Sequence, residues 1–247
     1  MDMKLKQRFS ELWQEYFPGG ELPIAFAYAD RGDPHRPAQR CVICDLSNVR
    51  NGRSLTFDVD SVGCGGGRRY LGFVQTLRPN FEHFLSCGIP GEMEGERYKK
   101  SPELVTESLV HQPPFVAPGR YVVFKRWDML TADDDPAVVI FFAPPDVLSG
   151  LFTLANFDEA SPCGVIAPFG AGCASIVYFP YHELQAGQRA VLGMFDVSAR
   201  PCVPGGVLTF AVPWPRFVRM VDNVPQSFLI TRTWEKVRER IGQGATA

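Results

Sequence analysis

Positive charge is not in excess in this chain. Its 25 Lys+Arg stand against 27 Asp+Glu, a formal net charge of −2, so the basic surplus expected of a nucleic-acid binder is missing. Charged residues make up 21% and hydrophobic residues 45%, a balance that excludes an intrinsically disordered chain. Long apolar runs are also missing. The longest, Ala137–Ala143, stops at Pro144-Pro145, well short of the roughly 20 residues that a membrane helix needs. The opening stretch, MDMKLKQRFSELWQEYF, carries charges throughout and has no signal-peptide pattern. Seven cysteines in 247 residues are too few, and odd in number, for a disulfide scaffold. These absences predict a cytoplasmic protein that binds neither membrane nor nucleic acid, with thiols that stay free or hold metal. Histidine is sparse as well: His35, His83, His111 and His182 form no zinc pair. There is no G-x-S-x-G elbow, Walker phosphate loop or dinucleotide fingerprint after a strand.

What is abundant is glycine and proline, 23 and 21 residues, which predicts many short elements and frequent turns. Leu5, Phe9, Leu12, Trp13, Tyr16 and Phe17 share one helical face, and Pro18-Gly19-Gly20 ends that helix. Strands are predicted at Leu22–Ala29, around Leu55, Phe57 and Val59, and at Tyr121–Phe124, Val165–Pro168, Ala190–Phe195 and Val207–Val212. Short helices are predicted at Asn80–Cys87, after Ser101-Pro102-Glu103, and at Pro215–Val221, with a last one carrying Trp234, Val237 and Ile241 and ended by Gly242. The fully apolar strand Ala137–Ala143 precedes an amphipathic helix capped by Asp146, which implies a sheet covered on both faces. The fold class is therefore α/β or α+β, a mixed β-sheet with helices packed on it, in a single domain over 1–247. A weak internal echo, an apolar strand followed later by a small-Cys-small turn, raises two pseudo-repeated halves, 1–118 and 119–247.

Chemistry concentrates around cysteine. In Gly63-Cys64-Gly65-Gly66-Gly67-Arg68-Arg69, glycine amides form a concavity suited to an anion or a sulfur, and the two arginines favour a Cys64 thiolate. The alternative is a tight turn with a buried cysteine. Gly172-Cys173-Ala174 places a second cysteine among small residues at the start of a possible helix, or in a crowded turn. Cys41-Val-Ile-Cys44 is a lone C-x-x-C, weak alone because no second pair completes a zinc site. His182 and Glu183 follow the second cysteine turn as a base or as partners behind the ligands, though a surface role is the plainer reading. Asp196 and Arg200 are spaced to pair on a helix.

Several stretches are similar to domain of unknown function family 169, an uncharacterised family found largely in archaea and anaerobic bacteria. They are Gly63–Phe73, Gly95–Glu103, Val138–Phe157, Gly172-Cys173 with Glu183, and a tail with Arg200, Pro213, Phe217, Met220, Ser227-Phe228-Leu229 and Trp234. The resemblance selects Cys41, Cys64 and Cys173 and leaves Cys44, Cys87, Cys163 and Cys202 incidental. It implies no activity.

Three readings stay open. The first is a metal or iron–sulfur centre on Cys41, Cys64 and Cys173, with Cys44 as a further candidate, in a redox or Lewis-acid role; three ligands leave an open position. The second is a module for a small anionic ligand on Gly65, Gly66, Gly67, Arg68 and Arg69. The third is a thiol enzyme with Cys64 or Cys173 as nucleophile. A scaffold with inert cysteines is the remaining alternative.

Overall fold

The computed structural model describes residues 1–34 and 41–244. His35 and the Gln39-Arg40 context of the C-x-x-C pair lie outside them. In chain order the principal elements are α1 (Met3–Tyr16), β1 (Ile24–Ala29), α2 (Val42–Arg50), β2 (Leu55–Phe57), α3 (Gly65–Tyr70), α4 (Phe81–Phe84), α5 (Pro102–Val110) and β3 (Tyr121–Arg126). The second part continues with β4 (Val138–Ala143), α6 (Pro145–Ala155), β5 (Val165–Ile166), a π-helical turn (Ala174–Tyr178), α7 (Phe179–Glu183), β6 (Ala190–Gly193), β7 (Leu208–Pro213), α8 (Trp214–Asn223) and α9 (Arg232–Gly244).

All seven strands form one open mixed sheet in the order β2-β3-β1-β4-β7-β6-β5, an α+β arrangement. Every pairing is antiparallel except β5 with β6. About the β1–β4 seam the two sides are alike in part: on each the first strand is innermost and the last lies beside it, with β2 outermost on one side and β6 then β5 on the other. β3, which begins after residue 118, sits between β1 and β2.

The sheet is covered on both faces because its strands alternate apolar side chains to either side. Ile24, Phe26, Val138, Ile140 and Phe142 pack with α2, α3 and the π-helical turn. Ala25, Val139, Phe141, Phe210 and Val212 pack under α1, α6, α8 and α9. β4 is buried along its whole length for this reason, and each large apolar side chain so buried contributes roughly 1.5–3 kcal/mol. The α1 face is strongly aromatic: Phe9 stacks on Trp13, meets Trp127 edge-to-face and lies tilted against Phe217, at centroid distances of 5.6, 4.6 and 5.1 Å.

Several boundaries differ from expectation. β2 stops at Phe57 because Asp58 and Ser61 close a turn, the Ser61 N–H donating to Asp58 Oδ1 at 2.9 Å. β6 stops at Gly193, since Met194 adopts φ +70° and leaves the extended region. Asp146 does not cap α6. Pro144 holds that position, and Asp146 instead pairs with Arg240 of α9. Gly242 does not end α9, which runs on to Gly244.

Candidate functional site

Three of the cysteines stand at helix starts on the same face of the sheet. Cys41 is the N-cap of α2, in extended conformation, and its side chain makes no capping bond. The helix forms because Val42, Ile43, Leu46 and Val49 recur at helical spacing and are all buried. Cys64 is the N-cap of α3, and the Gly67 N–H donates to its Sγ at 3.1 Å. Cys173 is buried just before the π-helical turn.

Glycines let these starts converge. A Cβ on Gly67 would lie 2.9 Å from Val62 Cγ1, 3.0 Å from Cys64 Sγ and 3.3 Å from Val42 Cγ2. Only glycine therefore lets α3 close on α2 without displacing a neighbour. A Cβ on Gly172 would lie 3.2 Å from Ile43 Cγ1 and 3.3 Å from Met194 Sδ, so the segment bearing Cys173 also abuts α2. That segment is pinned to the sheet by Ser175. Its hydroxyl donates to the Gly172 carbonyl at 2.8 Å and accepts from the Met194 N–H at 3.3 Å.

The thiols act on one another. Burial raises the Cys64 pKa and the neighbouring Cys41 raises it further, against lowering by the Gly67 and Val42 N–H groups and by Arg68. Burial also pushes the Cys173 thiol well up, with Cys64, Cys41 and Asp196 adding to the effect. The expectation that glycine amides and arginines favour a Cys64 thiolate is thus corrected, because desolvation outweighs them.

The two arginines hold the local loops together. Arg68 Nε donates to the Val62 carbonyl at 2.8 Å. The buried Arg69 donates to the carbonyls of Gln75 and Gln112 at 2.7 and 2.9 Å. Gly65, Gly66 and Gly67 form the first turn of α3, with open space beside Gly65 and Gly66.

Two further cysteines join the group. Cys44, in the first turn of α2, sits at disulfide distance from Cys202 on the 3₁₀ turn Arg200–Cys202. The sulfurs of Cys41, Cys44 and Cys202 all lie within 4.8 Å of one another, which is close enough to hold a metal. Among the described residues this is the one such trio of acidic, His or Cys groups. The Cys44–Cys202 pairing departs from the expectation that the thiols stay free or hold metal, and neither Cys44 nor Cys202 is incidental. No local pattern marks Cys202, because its partner is 158 residues away. Cys87 and Cys163 are exposed and stand apart as free thiols.

The spacing of Asp196 and Arg200 predicts an ion pair, and the structure uses both differently. Arg200 donates to the carbonyls of Val207 and Gly205 at 2.6 and 2.8 Å. Asp196 Oδ2 accepts from the Gly172 N–H at 2.9 Å, at the start of the Cys173 segment. Its Oδ1 accepts from the Ser198 N–H and hydroxyl at 3.0 and 2.8 Å. Tyr70 lies close enough for Cys173 to affect it, and burial with that neighbour pushes its pKa up to about 12.

His182 and Glu183 are engaged elsewhere. Glu183 accepts from the Arg189 guanidinium at 2.5 and 3.0 Å, and that hydrogen bonding holds its pKa below the usual range against the opposing effect of burial. His182 lies against Tyr178 and Phe115, with ring centroids 4.4 and 5.3 Å away, and burial lowers its pKa. The principal charges acting on Cys64 and Cys173 come from Cys41, Arg68, Asp196 and each other.

No helix among the described residues is long and apolar enough to cross a membrane. No curated protein and no solved structure matches the chain. A family model does match, over residues 20–223, a stretch that holds the sheet and all five clustered cysteines but stops short of α9. The chain belongs to the DUF169 family, described as uncharacterised ArCR.

Proposed function

We propose that this protein holds an iron–sulfur centre or metal ion through cysteine thiolates, with a redox or Lewis-acid role toward a small molecule and with Cys41, Cys64 and Cys173 as ligands, a set whose sulfurs are not all within 4.8 Å of one another and which therefore suits a cluster better than a single ion. One observation carries the reading: five cysteines from four separate segments gather on one side of the sheet, and Cys41 is their common member. Its sulfur lies within 4.8 Å of those of Cys44 and Cys202, and it is near enough to Cys64 and Cys173 to add to the rise in their pKa that burial causes. Thiolates select zinc, copper(I) and iron–sulfur clusters over hard cations. A bound cation also reverses the local electrostatics, because a coordinating thiol is deprotonated outright. Three protein ligands leave a coordination position for substrate. In a reducing compartment such as the cytoplasm the Cys44–Cys202 pair opens to thiols, and this favours a second reading in which Cys41, Cys44 and Cys202 are the ligand set.

The test is anaerobic purification followed by reconstitution, in separate samples, with zinc and with iron plus sulfide, read by elemental analysis and absorption. Stoichiometric metal that is lost in Cys64→Ser and Cys173→Ser but kept in Cys87→Ser and Cys163→Ser supports the first ligand set. Loss in Cys44→Ser and Cys202→Ser, with retention in the other two, assigns the second. A wild-type protein that takes up neither metal ends both.

A further inference from the structure

The Cys41, Cys44 and Cys202 sulfurs have a second chemical capacity, one that needs no metal. We infer that these three residues form a thiol–disulfide exchange site in which Cys41 displaces Cys202 from Cys44. All three sulfurs lie within 4.8 Å of one another and all three residues are partly exposed. The attacking and attacked sulfurs are thus already neighbours, and solvent reaches them. Cys41 and Cys44 occupy the N-cap and first turn of one helix, three residues apart, and such positions are adjacent on a helix surface. The Cys41 side chain caps no backbone group, so its sulfur is not tied up in a capping bond. Cys202, the leaving sulfur, sits on a short surface turn held by Arg200 through the carbonyls of Val207, Pro204 and Gly205.

The step balances within the protein. Cys41 Sγ gives its proton to solvent and attacks Cys44 Sγ. The Cys44–Cys202 bond breaks as the Cys41–Cys44 bond forms, and the Cys202 thiolate takes up a proton. One disulfide is exchanged for another, so no external oxidant or reductant is consumed. The C-x-x-C pair, weak as a sequence signal, thereby gains a partner supplied by the fold. Exchange also decides which thiol is free: Cys41 in one isomer and Cys202 in the other.

The experiment uses the full chain, treated with chelator so that the result does not depend on metal binding. The protein is oxidised with oxidised glutathione, acid-quenched, alkylated and digested with trypsin. Cys41 and Cys44 share the peptide Cys41–Arg50, so the exchanged isomer appears as that single peptide two hydrogens lighter and unalkylated. In wild type both this peptide and the Cys44–Cys202 cross-link are expected. In Cys202→Ser the light peptide becomes the dominant form, and in Cys41→Ser only the cross-link remains. Finding Cys41 and Cys44 both alkylated in folded Cys202→Ser, under conditions that close the wild-type pair, overturns the inference. Should that variant not fold, absence of the light peptide from folded wild type overturns it equally.

Discussion

Reduction of the Cys44–Cys202 pair provides a quantitative test of the architecture around the site. The bond joins residues 158 apart, linking α2 to the turn before β7. Cross-linking so long a loop restricts the unfolded chain, and the chain-entropy relation puts the gain at about 5 kcal/mol. For a chain of this length the unfolding entropy converts that to about 10 °C in melting temperature. The assay is a thermal melt of chelator-treated protein with and without a dithiol reductant, after alkylation confirms the starting state. The control is Cys44→Ala/Cys202→Ala, which should melt near the reduced wild type and ignore reductant. A wild-type difference under about 2 °C, or an equal shift in the control, would refute the reasoning. The first outcome would mean that the pair does not constrain the unfolded chain, and the second that the reductant acts elsewhere.

Three other outcomes follow from the geometry. Gly193→Ala would drive a methyl into Ser175 Cβ and to 2.5 Å from Ser175 Oγ, so it should destabilise by about 1–3 kcal/mol, read by urea denaturation, and loosen the Cys173 segment to alkylation. Tyr70 has its pKa raised to about 12. Because the folded value exceeds the unfolded one, its contribution is complete below pH 10 and lost as pH rises toward 12, about 2–3 kcal/mol in all. Denaturation midpoints of Tyr70→Phe should lack that part of the alkaline decline. Glu183 has a depressed pKa, so its pair with Arg189 stabilises above the usual glutamate range and is lost as pH falls through the folded value. Glu183→Gln should cost about 1.5–3 kcal/mol at neutral pH and flatten the acid limb, while leaving metal content unchanged.

Much of the sheet was legible in the sequence because its strands obey simple periodicity. Ala137–Ala143 reads as doubly covered from its unbroken apolar run, and β4 is buried on both faces. The helices that carry the cysteines were harder to read. In α2 the apolar spacing of Val42, Ile43, Leu46 and Val49 was available as a signal, but cysteine is not a customary N-cap. In α3 three consecutive glycines argue against helix on propensity alone. Glycine is needed at position 67 because the space beside it admits no side chain, a tertiary constraint invisible locally. Cys64 and Cys173 stood out by their small neighbours. Cys202 did not, and Asp196 stood out only as a partner for Arg200, because each acquires its role from a distant residue.

The two faces of the sheet divide the work of the molecule. On one, four of the longer helices bury a dense aromatic cluster, and much of the stability resides there. On the other, α2, α3 and the Cys173 segment are short and begin at cysteines. Their close approach depends on glycines at contact points, on the two hydrogen bonds of the Ser175 hydroxyl and on the one that the Asp196 carboxylate accepts from the Gly172 N–H. Short helices contribute little stability of their own, so this face relies on the shared sheet to hold its sulfurs in place. β4 lies in the middle of the sheet and contributes Ile140 and Phe142 to the cysteine face and Val139 and Phe141 to the other. A cavity cut at Phe141 should therefore lower global stability, whereas loss of Ser175 should disturb the cysteine face first.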